Sequence, residues 1–196
     1  LHYRANNAPV RKGDLLLCDA GAEYALYASD ITRTWPVSGT FSKAQRGLYE
    51  IVLAAQAGSI RAAKVGVPYE DIHKASVEVL TDGLLSLGLL KGTLKKSIET
   101  GSYRRFYMHK TGHWLGLDVH DVGEYRLAGK SRQLEPGMVF TVEPGLYIAP
   151  GTPGVPEKYQ GIGIRIEDDI LMTRKGPENL SDGVPKTVAP IEALLA

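Results

Sequence analysis

The 196-residue sequence holds a single cysteine, Cys18. One thiol excludes an internal disulfide framework and fits a reducing compartment. An excess of one charge is lacking too, since basic and acidic side chains balance to a formal net charge of +1. That removes the electrostatic case for nucleic acid or an anionic membrane as a partner. No apolar run is long enough to span a bilayer. H-E-x-x-H, a Walker loop, a dinucleotide glycine fingerprint and a G-x-S-x-G nucleophile elbow are all missing, which sets aside the common zincin, nucleotide and serine-hydrolase readings. Asn179-Leu180-Ser181 matches a glycosylation acceptor by pattern only. The expectation is a cytoplasmic globular chain, one large domain or a compact pair.

What is present centres on residues 137–145, G-M-V-F-T-V-E-P-G, a β-branched run that ends in a carboxylate and turns at Pro144-Gly145. Residues 13–21, G-D-L-L-L-C-D-A-G, repeat the pattern at a constant offset, so Gly13 matches Gly137, Asp19 matches Glu143 and Gly21 matches Gly145. Each copy is followed by a second strand-like run with another acid: Asp30 in Y-A-S-D-I-T-R-T-W-P-V and Glu167 in I-G-I-R-I-E-D-D-I-L-M. Two similar hairpins would deliver four carboxylates to corresponding places, and a metal is the obvious reason. The repeat suggests an internal pseudo-twofold, an antiparallel sheet with helices on its outer face, in the α+β class.

Strands are expected over 14–20 and 28–37. Alternation puts Leu15, Leu17 and Asp19 on one face, with Cys18 on the other as a small buried apolar group. Ser42 and Gln45 form a capping box that opens a helix ending near Gly66. Its buried stripe runs through Leu48, Ile51, Val52, Ala55, Ser59 and Ala62. Pro68, Glu70 and Asp71 mark the start of a second helix, with Ile72, Ala75, Val79, Leu80, Leu84 and Leu87 inward. Residues 91–107 read as a polar, basic, solvated loop carrying Lys95, Lys96, Arg104 and Arg105. A final helical turn is expected over 191–195.

The candidate metal ligands are Asp19, Asp30, His113, Glu143 and Glu167. Acids in apolar strand contexts are costly unless paired or metal-bound. Four acids and one imidazole, without thiolate, suit Mn, Co, Fe or Zn, and supply enough bridging oxygens for two ions. His109 and His113 have helical zinc spacing, but Thr111-Gly112 is poor helix sequence. Asp168 and Asp169, beside Glu167, admit a solvated acidic cluster as the plainer alternative.

The ordered set D-A-G, S-D-I-T-R-T-W-P, H-W-L-G-L-D-V-H-D-V-G, L-E-P-G-M-V-F-T-V-E-P-G-L-Y and G-I-G-I-R-I-E-D-D resembles the metallopeptidases of pita-bread fold, in their aminopeptidase P branch. The resemblance implies a dinuclear metal site, most simply with Mn(2+), with Zn(2+), Co(2+) or Fe(2+) as alternatives. Asp30 and Glu167 would bridge, His113 and Glu143 would complete one site and Asp19 the other. It also implies a metal-bridging hydroxide that attacks the bond before proline, with Glu143 moving the proton and His120 steadying the oxyanion. His2, His109 and His120 would line the substrate pocket, and Arg165 would orient the acids. The implied substrate is a peptide with proline at its second position.

The same resemblance makes residues 1–196 a C-terminal catalytic domain. Upstream residues of that domain and a separate N-terminal domain would lie outside the sequence or on a separate chain, and the intact protein would be a homo-oligomer. Prolidase, which cleaves Xaa-Pro dipeptides, is the neighbouring alternative. A catalytically inactive pita-bread binding module is the alternative of another class.

Overall fold

The computed structural model describes residues 2–3 and 5–196. The first hairpin pairs β1 (Leu15–Ala20) with β2 (Ile31–Pro36), antiparallel, with Asp19 opposite Thr32. β2 starts later than the sequence suggests. Ser29 Oγ folds back to donate to the Ala22 carbonyl and to accept the Ala22 amide, and the Ala28 amide donates to the Gly116 carbonyl. Asp30 therefore sits just ahead of the ladder, set by the loop.

The sequence between the hairpins supplies cover. α1 (Lys43–Ala62) begins at the expected capping box, with Ser42 and Gln45 bonded reciprocally. Its buried face includes Leu48, Val52, Ala55 and Ser59, but also Gln45, Tyr49 and Gln56. α2 (Glu70–Ser86) packs along α1 through Ile72, Val77, Leu80 and Leu84. The solvated loop expected over 91–107 is not found. That stretch holds α3 (Leu94–Thr100), capped by Thr93 and closed by Gly101 at φ 68°, then a 3-10 turn. Seven residues are too few to show a period in the sequence. Tyr103, Phe106 and Tyr107 anchor the segment in the core, while Lys95, Lys96, Arg104 and Arg105 stay exposed.

A small hairpin, β3 (Arg126–Leu127) with β4 (Lys130–Ser131), precedes the second main one. There the pairing comes in two pieces: β5 (Val139–Val142) with β8 (Asp168–Thr173), and β6 (Gly145–Tyr147) with β7 (Gly163–Arg165). β9 (Gly176–Asn179) extends β8, and α4 (Val188–Leu194) starts earlier than the turn expected at 191–195. α1 lies against β5, β6 and β7, so the helices cover one face of the strands, as the α+β expectation required. The hairpins join side by side. The Glu167 amide donates to the Thr32 carbonyl at 3.1 Å, and Thr34 Oγ1 donates to the Arg165 carbonyl at 2.9 Å.

Two further expectations are corrected. Cys18 does point away from Asp19, but its face of β1 is uncovered among the described residues, so the thiol is exposed. Asp168 and Asp169 are not a solvated acidic cluster; both are buried, at 0% and 4% exposure. No described helix is long and apolar enough to cross a membrane.

Candidate metal centre

The two pieces of the second hairpin keep one register, Val142 opposite Asp168 and Gly145 opposite Arg165. Glu143 and Glu167 therefore face each other in the gap between them. Pro144 has no amide hydrogen to give a ladder there. His113 arrives from a segment laid along β5: the Thr141 amide donates to the His113 carbonyl and the Glu143 amide to the Thr111 carbonyl, at 2.9 and 2.7 Å. Gly112 makes that approach possible, since a Cβ there would lie 1.9 Å from the Thr141 carbonyl oxygen. His113 Nδ1 lies 3.0 Å from the Trp114 carbonyl, which leaves Nε2 toward the acids.

All five expected ligand side chains meet here. Asp19, Asp30 and Glu167 can bring one oxygen each within 4.8 Å of one another, as can His113, Glu143 and Glu167 with their ligand atoms. Asp30, His113 and His120 form a third such group. His113 Nε2 lies 3.4 Å from Asp30 Oδ2 and 3.8 Å from Glu143 Oε1. Asp19 departs from the buried-acid expectation: its side chain is 33% exposed and opens on the cleft.

The electrostatics are those of crowded anions. Burial, with the charges of Asp30 and Asp19, pushes Glu143 up to about 7, against the pull of His113 and Arg165. Burial and the neighbouring acids push Glu167 well above the carboxylate range. Asp19 is raised by burial and by Asp30. Burial also opposes the Asp30 charge, but His113 and a hydrogen bond with Asp19 outweigh it and hold Asp30 low. Such a set is stabilised by added positive charge. Four carboxylates and an imidazole without thiolate fit hard or borderline divalent cations, and the three candidate groups overlap at Asp30, His113 and Glu167.

Around these groups stands a second ring. His109 Nε2 lies 2.9 Å from the Tyr147 hydroxyl, and its Nδ1 lies 3.7 Å from Glu143 Oε2. Burial drives His109 down to about 4, so its ring is neutral. The His120 ring meets that of His113 edge-on at 4.3 Å. Arg165 pairs with Asp19 and donates to Tyr147 Oη and Thr32 Oγ1, both at 3.2 Å. His2 and Arg165 share with Asp19 and Tyr147 a cleft of about 1800 Å³.

Sequence reasoning overlooked several contributors. Tyr147 links His109 to Arg165, and nothing in its spacing distinguishes it. Thr32 has a specific role that alternation alone does not show: Oγ1 donates to Glu167 Oε2 at 2.5 Å. Asp169 Oδ2 accepts the Asp30 amide at 3.1 Å. Arg33 and Asp168 form a buried ion pair at 2.7 Å. A charged residue inside T-R-T-W-P was the available signal, because a buried arginine needs a partner.

Comparison with known proteins agrees with this geometry. The model of metallopeptidase family M24 matches residues 1–174. The chain is 54% identical to a Xaa-Pro aminopeptidase of Haemophilus influenzae and 53% identical to one of Escherichia coli K12. Each match covers 100% of the chain but only 45% and 44% of the relative, so the chain spans under half the length of these curated relatives. Among solved structures, the aminopeptidase PepP of Pseudomonas aeruginosa superposes with a TM-score of 0.98 at 55% identity, over 100% of this chain and 44% of that one. A zinc-substituted Escherichia coli aminopeptidase P in complex with product superposes at 0.95 and 53% identity, with the same coverage. These neighbours give the α+β architecture its family form, the pita-bread fold. The chain belongs to metallopeptidase family M24.

Proposed function

We propose that this chain carries the metal centre of an aminopeptidase that removes the first residue from peptides with proline second. The observation that carries the reading is the meeting of Asp19, Asp30, His113, Glu143 and Glu167 from two hairpins and one loop in a single cluster. The relatives named Xaa-Pro aminopeptidase support the substrate class. Asp19, Asp30 and Glu167 would hold one divalent ion, and His113, Glu143 and Glu167 a second, with Mn(2+) first and Zn(2+), Co(2+) or Fe(2+) as alternatives. Bound divalent ions supply Lewis-acid polarisation of the scissile carbonyl and a water acidic enough to attack at neutral pH.

The chain's own groups account for the remaining steps. Glu143 Oε2, close to both His109 and Arg165, takes a proton from the attacking water and returns it to the proline nitrogen. His120, beside His113, donates to the carbonyl oxygen as charge develops. Arg165 holds Asp19 and the Tyr147 hydroxyl in place, and Tyr147 in turn orients His109. His2 lines the cleft on the substrate side.

The test measures metal content and Xaa-Pro tripeptide hydrolysis on one sample, with Glu143→Ala beside it. About two divalent ions per chain and hydrolysis lost in the variant are expected. Cleavage confined to dipeptides moves the assignment to prolidase. A well-folded protein that takes up no metal from Mn(2+) overturns it.

A further inference from the structure

Arg33 lies in β2 with 2% of its surface exposed, and its guanidinium uses every donor. Nε donates to the Pro185 carbonyl at 3.1 Å. Nη1 donates to the carbonyls of Thr32 at 2.9 Å and Glu167 at 2.6 Å. Nη2 donates to Asp168 Oδ1 at 2.7 Å and the Val184 carbonyl at 2.9 Å. Asp168 anchors the fork. Its oxygens also accept from Gln56, Asn179 and Ser181 and pair with Lys186.

Two of the five acceptors border the metal centre. The Thr32 carbonyl receives the Glu167 amide as well as Arg33, and the Thr32 hydroxyl donates to the Glu167 carboxylate. One planar cation therefore ties together the two backbone segments whose spacing places the Glu167 side chain. We propose that Arg33 is a positioning residue. It holds Glu167 in the register where its carboxylate meets Asp19, Asp30 and Glu143, and so sets the affinity of the centre for divalent metal. The inference rests on the metal-centre reading above. A guanidinium is needed, because lysine brings three donors on a point charge and cannot span carbonyls on both sides.

The competing explanation is that Arg33 only neutralises Asp168. Lys186 separates the two, because its ammonium pairs with the same carboxylate and, among the described residues, hydrogen-bonds otherwise to Gln56 and not to Thr32 or Glu167. Arg33→Lys and Lys186→Met are compared with wild type by calorimetric titration of Mn(2+) into metal-free protein, and by thermal melting. Both variants are expected to melt earlier. Only Arg33→Lys is expected to lose metal affinity, by about 10–100-fold, the usual effect of disturbing groups that orient ligands. Wild-type affinity in Arg33→Lys, or an equal loss in Lys186→Met, overturns the assignment. If wild type itself takes up no Mn(2+), it is the metal-centre reading that fails.

A measurement on wild type guards against a variant that does not fold. The Glu167 amide is expected to exchange hydrogen slowly even before metal is added, because the clamp already fixes its bond to Thr32. Fast exchange that slows only on metal addition would mean that metal, and not Arg33, organises the segment.

Discussion

Glu143→Gln is expected to stabilise the metal-free protein while costing it the ion that His113, Glu143 and Glu167 would hold. The Glu143 carboxyl is 18% exposed, and its pKa rises from 4.5 to about 7, chiefly by burial. Below pH 4.5 the carboxyl is protonated in both folded and unfolded chains, so no penalty arises. Between pH 4.5 and 7 the unfolded chain ionises while the folded one keeps its proton, and stability falls by about 1.4 kcal/mol per pH unit. Above pH 7 the penalty levels off at about 3 kcal/mol. Glutamine keeps the shape without the charge. Urea unfolding in chelator should therefore find the variant about 3 kcal/mol more stable than wild type at pH 8, and within about 1 kcal/mol at pH 5. Mn(2+) at about 1,000 times its Kd for the ion that Glu143 would help to hold should reverse the order at pH 8 by adding about 4.1 kcal/mol to wild type alone. Metal-free wild type that is equally stable at pH 5 and pH 8, with Glu143→Gln weaker at both, would refute the account of the site as a cluster of strained anions.

Asp168→Ala should cost about 3–5 kcal/mol in urea unfolding, because it strands Arg33 and Lys186 beside a missing counter-charge. Burial opposes the Asp168 charge, but Lys186 and Arg33 hold the carboxyl below its ordinary 3.8. Its contribution is thus complete above pH 3.8 and lost as pH falls through the depressed value, and the variant should lack that acid-induced decline. Gly112→Ala should cost about 1–3 kcal/mol and weaken metal binding, because its Cβ meets the Thr141 carbonyl beside His113. Gly47→Ala in α1 meets nothing within 4 Å and should gain about 0.5–1 kcal/mol by the same denaturation assay.

The repeated strand-acid-turn pattern determined a good deal by itself. It located Asp19, Asp30, Glu143 and Glu167, because an acid inside an apolar strand has few cheap explanations. The capping box at Ser42 and the two helical stripes were legible for the same reason: local periodicity and end chemistry act over a few residues. Tertiary structure alone decided the rest. Only the register across the second hairpin sets Glu143 opposite Glu167, and only the paths of β1 and the loop at Ser29 decide that Cys18 is exposed and Asp30 stands ahead of its ladder. α3 was hidden because its seven residues bury only one side chain, Ser97, and so show no period. The environment of Asp168 comes from β2, α1, β9 and the segment before α4, partners 11 to 135 residues away that meet only when the chain is folded. A sequence shows which side chains carry charge; the fold decides which of those charges lose their water and what replaces it.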